Sequence, residues 1–428
     1  MFKVFIYKIF KNHALILMLA IAGVNAGNYL LNLLLGRFLG PEDFAEAGIL
    51  ATMVMVLSFI AVGIQMTAAK YSAELKEEGS EEKLLEFQSW ITRKTLISSI
   101  FLTFLIVLLI PVVQSYLHFR SPVPFILIFI GVPVYFLMSV QRGFLQGAQE
   151  FKRFAGTYIA EMIGRISVTV IAIAYVRYYD INGYSEAVSL GFLASFIFSL
   201  VYTGRLKIKS LSASNDLRKS IFSFFIIMMC YEGTQIAISY SDVILVKHYF
   251  ENHESGLYAA LSLLGRIVYF GTWALVMVLV PKVIEKAKKG LSTTQNLIQA
   301  LTIIISFGMS MVIGTAIFPD LLVSQLLGSE YLPMSSFLWK YALATTLFAA
   351  ANVIAYYYLS LGKYLPVALS ALVGTLQVIM IVFNHQSIIN IINIQMILMS
   401  FLLVGMIIYH LSNPTQYENR NSISLSSQ

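Results

Sequence analysis

Three arginines, three acids and a row of asparagines lie inside long apolar stretches of this chain. An arginine guanidinium is a planar fork that can bond two oxygens of one anion. Arg142, Arg165 and Arg266 are therefore candidates to hold a phosphate-bearing or otherwise acidic ligand. Glu161 precedes Arg165 by one turn, the i, i+4 spacing of an ion pair. Such a pair would be structural as readily as functional. Arg266 has no acid on its own stretch, and an unpaired arginine there needs water or an anion. It is the first residue to assign to ligand binding or coupling. Arg142 lies nearer the end of its stretch, where it could meet a headgroup or snorkel to the interface. Asn25, Asn28 and Asn32 fall at i, i+3 and i+7, one helical face. Glu232, Gln235, Ser239 and Asp242 also share a face. The asparagines read equally as the lining of a wet cleft or as hydrogen bonds between packed helices. For Glu232 and Asp242 the reading is a cavity, because ionisable groups in lipid are costly and mark pathways.

The elements that must position these groups are membrane helices. Hydrophobic residues make up 58% of the chain and charged residues 12%, against about 25% charged in a soluble domain. A bilayer-spanning helix needs about 20 mostly apolar residues. Twelve such spans are expected, near 13–36, 46–69, 95–117, 123–145, 155–176, 184–204, 221–246, 257–280, 297–318, 336–360, 364–384 and 389–410. The fold class is thus all-α and polytopic. Most of the 29 Lys and Arg residues fall in alternate gaps between spans. That asymmetry is the positive-inside pattern, and it places both termini in the cytoplasm. The gap at 70–94, rich in Glu and Lys, reads as a short interfacial or solvated helix.

Several classes are set aside. The net charge of +7 follows from topology, so no nucleic-acid partner is expected. Cys230 stands alone, so neither a disulfide framework nor a cysteine metal cluster is expected. The six histidines sit at or near span ends, and His248 and His253 make no convincing metal site. There is no Walker-type loop and no enzyme constellation; no cofactor is expected. The apolar run after the N-terminal lysines outlasts a signal h-region, so the first span is expected to remain uncleaved.

The chain also repeats itself weakly at an offset of about 210 residues. Asn32 and Arg37 close the first span as Asp242 and Lys247 close the seventh. Gly147 and Gly362 end the fourth and tenth. Two parallel six-helix halves are expected, 1–212 and 213–412, followed by a disordered cytoplasmic tail, 413–428. In parallel repeats the substrate site lies between the halves near the midplane. The repeat could also reflect nothing more than shared helix-end composition.

Four stretches carry a resemblance. They are Arg37-Phe38-Leu39-Gly40-Pro41-Glu42-Asp43-Phe44, Gly143-Phe144-Leu145-Gln146-Gly147-Ala148-Gln149-Glu150-Phe151, Asp242 to Lys247 with Gly256-Leu257-Tyr258-Ala259-Ala260, and Val280-Pro281-Lys282. In order and spacing they resemble the polysaccharide-export branch of the multidrug/oligosaccharidyl-lipid/polysaccharide exporter superfamily, which holds the O-antigen and capsule repeat-unit flippases. The resemblance implies a MATE-like V of two six-helix bundles around a central cavity, worked by rocker-switch alternating access. It implies a polyprenyl-diphosphate-linked oligosaccharide as cargo, moved from the inner to the outer leaflet of the cytoplasmic membrane. Membrane lipids, a glycan polymerase or glycosyltransferases are the partners to expect. On this reading Arg142, Arg165 and Arg266 face the diphosphate or acidic sugars, with Asn25, Asn28 and Asn32 beside them. Glu161, Glu232 and Asp242 become candidates for H+ or Na+ coupling. The peptidoglycan-precursor flippases of the superfamily are usually longer than this chain, which argues against that role. The competing readings are a drug or cation antiporter of the same fold and a non-transporting scaffold of a glycan-assembly complex.

Overall fold

A computed structural model describes residues 13–204, 215–269 and 291–413, with 279, 283, 286 and 289 between the last two. The expected 413–428 tail, apart from Asn413, and most of the second half of the expected eighth span lie outside the described residues, as do Pro281 and Lys282. Among the described residues every regular element is helical. Ten stretches are long and apolar enough to cross a bilayer. One of them, Ala20–Glu77, is 58 residues long and takes in most of the first expected span and all of the second. The expected eighth begins in the helix Asn252–Gly265.

The first helix, α1 (His13–Glu77), breaks at Gly40, where φ is 74° and ψ 169°. Glycine reaches that left-handed region without strain. Pro41 then fits the start of the second arm, where its missing N–H costs nothing. α2 (Glu81–Tyr116) follows a turn at Gly79, φ 69°. The 70–94 stretch is therefore not a separate helix. Its two parts extend α1 and begin α2, because Glu and Lys are good helix formers and only the short turn Glu78-Gly79-Ser80 interrupts them. α3 (Val123–Ile130) and α4 (Val132–Gly147) make the fourth span, bent at Gly131 with Pro133 at the new start. α5 (Phe151–Tyr178) and α6 (Tyr184–Thr203) follow.

α7 (Asn215–Tyr249) leads to α8 (Asn252–Gly265). The chain continues through α9 (Thr294–Ile317), α10 (Pro319–Leu326), a 3₁₀ helix (Ser329–Phe337), α11 (Leu338–Ser360), α12 (Leu365–Phe383) and α13 (Ile388–Ser412). Two compact units form. One comprises Met1–Leu39 with Asp43–Ile236, the other Gly40–Glu42 with Ala237–Gln428.

Small residues set the packing in each unit. In the first, Gly143 and Gly147 on α4 form a small-xxx-small pair. A Cβ on Gly143 would lie 2.5 Å from the Gln65 carbonyl, and one on Gly147 2.5 Å from the Ala69 carbonyl. The second arm of α1 thus rests backbone to backbone on α4, and Gln65 Nε2 donates to Gln146 Oε1 at 2.9 Å across the contact. In the second unit α11 is buried on nearly every face. Ala349, Ala350, Ala351, Val353, Tyr357 and Tyr358 are fully enclosed. A helix apolar all round is the centre of its bundle. By contrast, Phe101, Phe104, Leu108 and Val112 on α2 are exposed, as lipid-facing residues are in a bilayer.

Candidate functional site

α4, α5, α6 and the first arm of α1 build a polar cluster inside the first unit. Arg142, on α4, is 5% exposed at its side chain and pairs with Glu161 of α5 at 2.5 Å. Its Nε donates to Thr157 Oγ1 at 2.9 Å, and its Nη2 also donates to Ser199 Oγ at 3.2 Å. The Tyr158 ring lies under the guanidinium, 3.8 Å away, a cation–π contact. One turn along α5, Arg165 is buried as well. Its Nη1 donates to Asn28 Oδ1 at 3.1 Å and its Nη2 to Asn32 Oδ1 at 3.0 Å. Phe192 of α6 covers it at 4.2 Å.

This corrects the expected Glu161–Arg165 pair. The carboxylate bonds the arginine of another helix, while its own-helix neighbour is held by neutral amides. The i, i+4 rule locates side chains on one helix only, and α4 brings a better-placed donor. Among the described residues Arg165 has no carboxylate partner. Two buried arginines therefore share one acid in this cluster. Of the three asparagines, Asn28 and Asn32 join it, and Asn25 is exposed.

A second cluster lies inside the other unit. Asp242, on α7, is fully buried. It accepts from Arg266 Nη2 at 2.9 Å, from Tyr258 Oη at 2.9 Å and from Tyr341 Oη at 2.7 Å. Tyr240 stacks over the Arg266 guanidinium at 4.7 Å. Arg266 is thus not unpaired. Its acid comes from α7, 24 residues away in sequence, where a search along its own helix could not find it. The helix breaks at this point, with Arg266 following the last residue of α8.

Beside the pair is a small cavity with ≈ 30 Å³ of space for water, lined in part by Ser239, Arg266, Gln377 and Gln395. Ser239 Oγ and Gln377 Oε1 are buried without a hydrogen-bond partner among the described residues. A water needs roughly 10–15 Å³ of such space and two or more polar partners, so one or two waters fit here. The rest of the polar face of α7 is less engaged. Both amide atoms of Gln235 are buried and unbonded among the described residues. Glu232 is partly exposed and, among the described residues, has no hydrogen-bond or ion-pair partner.

Some participants carry no sequence signal. Thr157, Tyr158, Phe192 and Ser199 are ordinary residues of apolar helices, and only the fold puts them around arginine. Tyr258 lies in a stretch that carries the family resemblance, yet nothing there marks its hydroxyl as an Asp242 ligand. Glu46, at the head of the second arm of α1, was also missed. It is buried, accepts from the Arg120 N–H at 3.2 Å and is bonded by Ser185 Oγ. Arg120 in turn pairs with Asp43 at 2.9 Å. Together these contacts tie the head of the second arm of α1 to the α2–α3 connection and to the start of α6.

Residues 34–336 match the family model described as "Polysaccharide biosynthesis protein". The chain belongs to that family. No curated protein matches it. Among solved structures, it is similar to an inward-facing multidrug resistance MATE family transporter of the MOP superfamily. That likeness has a TM-score of 0.75 at 11% identity and covers 93% of this chain and 96% of the other. The lipid II flippase MurJ, in an inward closed conformation, gives 0.73 at 15% identity over 94% and 87%. A MOP superfamily transporter from Pyrococcus furiosus gives 0.62 at 12% identity over 94% and 95%. At such identities the likeness establishes the fold: this member of the family is a polytopic helical membrane protein built like MATE transporters and MurJ.

Proposed function

We propose that the chain flips a polyprenyl-diphosphate-linked oligosaccharide from the cytoplasmic to the outer leaflet by alternating access of two six-helix halves. The carrying observation is the first-unit cluster, where Arg142 and Arg165 are buried with one carboxylate, Glu161, between them. Family membership and the MATE/MurJ fold support the same reading. A buried arginine held only by amides retains its full charge and free donor capacity. A diphosphate supplies what it lacks, because its oxygens can accept from the guanidinium in pairs. Arg165 is therefore the leading anion ligand, with Arg142 beside it and Asn28 and Asn32 orienting the fork. Arg266 is assigned to holding Asp242 instead. Among the acids proposed for ion coupling, Glu232 is the one left to titrate against an ion, since Glu161 and Asp242 are both held by arginine. The proposed location is the cytoplasmic membrane, with both termini inside.

A vesicle assay tests this. Purified protein is reconstituted with a labelled lipid-linked oligosaccharide, and arrival of the glycan in the opposite leaflet is followed with an impermeant reagent. The parent is expected to move it. Arg165→Ala is expected to lose about tenfold or more, the scale of one charge-assisted contact of 1.5–3 kcal/mol. Transport by Arg165→Ala equal to the parent at equal membrane abundance would overturn the anion-site reading.

A further inference from the structure

Within the first unit, the two ends of the Arg142–Glu161 ion pair are held very differently. The guanidinium is fixed by Thr157, Ser199 and the Tyr158 ring, and its side chain is 5% exposed. The Glu161 carboxylate is 25% exposed, and Arg142 is its one hydrogen-bonding partner among the described residues. The cation is therefore immobile and enclosed, while the anion reaches the edge of the cluster. A rotation of Glu161 alone would uncover Arg142. Arg165 lies one turn beyond Glu161 on the same helix, a rise of about 6 Å, where the neutral amides of Asn28 and Asn32 hold it.

We infer that Glu161 is a built-in stand-in for the diphosphate of the cargo. The inference rests on the flippase reading above. An incoming diphosphate displaces the carboxylate and bridges Arg142 and Arg165. When the cargo leaves, Glu161 closes back on Arg142. The physical need is on the return stroke. A carrier that reorients empty would otherwise enclose two arginines with no counter-charge, and an uncompensated buried charge is strongly destabilising. Glu161 thus competes with cargo for Arg142, yet the unloaded carrier needs it to return. This is not a coupling role, since no external ion has to bind. Asp242 does not share the behaviour, because it is fully buried under Arg266, Tyr258 and Tyr341.

The test separates exchange from net movement. Exchange of labelled for unlabelled cargo across the membrane needs only the loaded carrier. Net flipping also needs the empty carrier to return. Glu161→Gln is expected to bind farnesyl diphosphate about fivefold tighter, about 1 kcal/mol, since the competing carboxylate has gone. It is expected to keep exchange within about twofold and to lose net flipping by about tenfold. Glu161→Asp, which keeps the charge, is expected to retain most net flipping. Equal losses of exchange and net flipping in Glu161→Gln, or weaker farnesyl diphosphate binding, would overturn the inference. Should Glu161→Gln fold poorly, inorganic diphosphate is expected to raise its unfolding temperature more than the parent's, and no such difference would also overturn it. If the parent itself neither exchanges nor flips cargo, the flippase reading falls instead, whatever Glu161→Gln does.

Discussion

Arg165 and Arg266 are both buried and both grip a polar residue of another helix, Asn32 on the first arm of α1 and Asp242 on α7. The difference is one of charge. Amides leave Arg165 positive, whereas Asp242 neutralises Arg266. Removing one member of a buried pair leaves the other uncompensated, at about 3–5 kcal/mol. Asp242→Asn is therefore expected to destabilise the second unit by about 3 kcal/mol, read as a lower midpoint in thermal unfolding of the detergent-purified protein. Adding Arg266→Met is expected to recover much of that loss, because a neutral pair replaces an orphaned charge. If Asp242→Asn unfolded at the parental temperature, the pair could not be the internal anchor described here. Arg165→Ala should show the opposite balance, with a large effect on cargo movement and a smaller one on folding.

At the scale of elements, the fourth span shows how a motif can be recognised for one reason and retained for another. Gly143 and Gly147 belong to a stretch that resembles the export family, but their visible work is contact. Each lies where a Cβ would meet the backbone of the second arm of α1. Arg142, which pairs with Glu161 of α5, sits beside Gly143 on the same helix, so packing and site are joined there. Gly143→Val is expected to overpack this contact and cost about 1–3 kcal/mol, seen as reduced folded protein in the membrane. Gly405→Ala serves as the contrast. A Cβ there meets nothing within 4 Å, and this substitution should leave folded yield and transport unchanged. A tolerated Gly143→Val would show that α1 and α4 can part without consequence.

For the whole molecule, the alternation of lysine and arginine remains the guide to orientation. Lys76 and Lys83 flank the turn between α1 and α2, a connection expected in the cytoplasm, while Asp180 follows α5 at a connection expected outside. In a Cys230→Ser background, Ser80→Cys should be labelled by an impermeant thiol reagent only when the cytoplasmic face is open. Asp180→Cys should be labelled in intact cells. The reverse pattern would invert the assigned direction of flipping.

Much of this architecture was legible in the chain. Apolar runs of bilayer length, and the cations between them, are properties of local composition, and a bilayer acts on local composition directly. Polar residues within those runs stood out for the same reason, so the arginines, the acids and the Asn28–Asn32 face were all visible in advance. Their partners were not. Glu161 bonds Arg142 rather than Arg165, and Asp242 bonds Arg266, because side chains meet through the packing of separate helices. Packing depends on where Gly143, Gly147 and the alanines of α11 let backbones come close. Sequence alone determined that this is a membrane bundle with a few charges it must accommodate. Only the tertiary structure decided which charges are paired and which are held by neutral groups among the described residues, since in a low-dielectric interior that balance is set by contacts of a few ångströms between residues far apart in the chain.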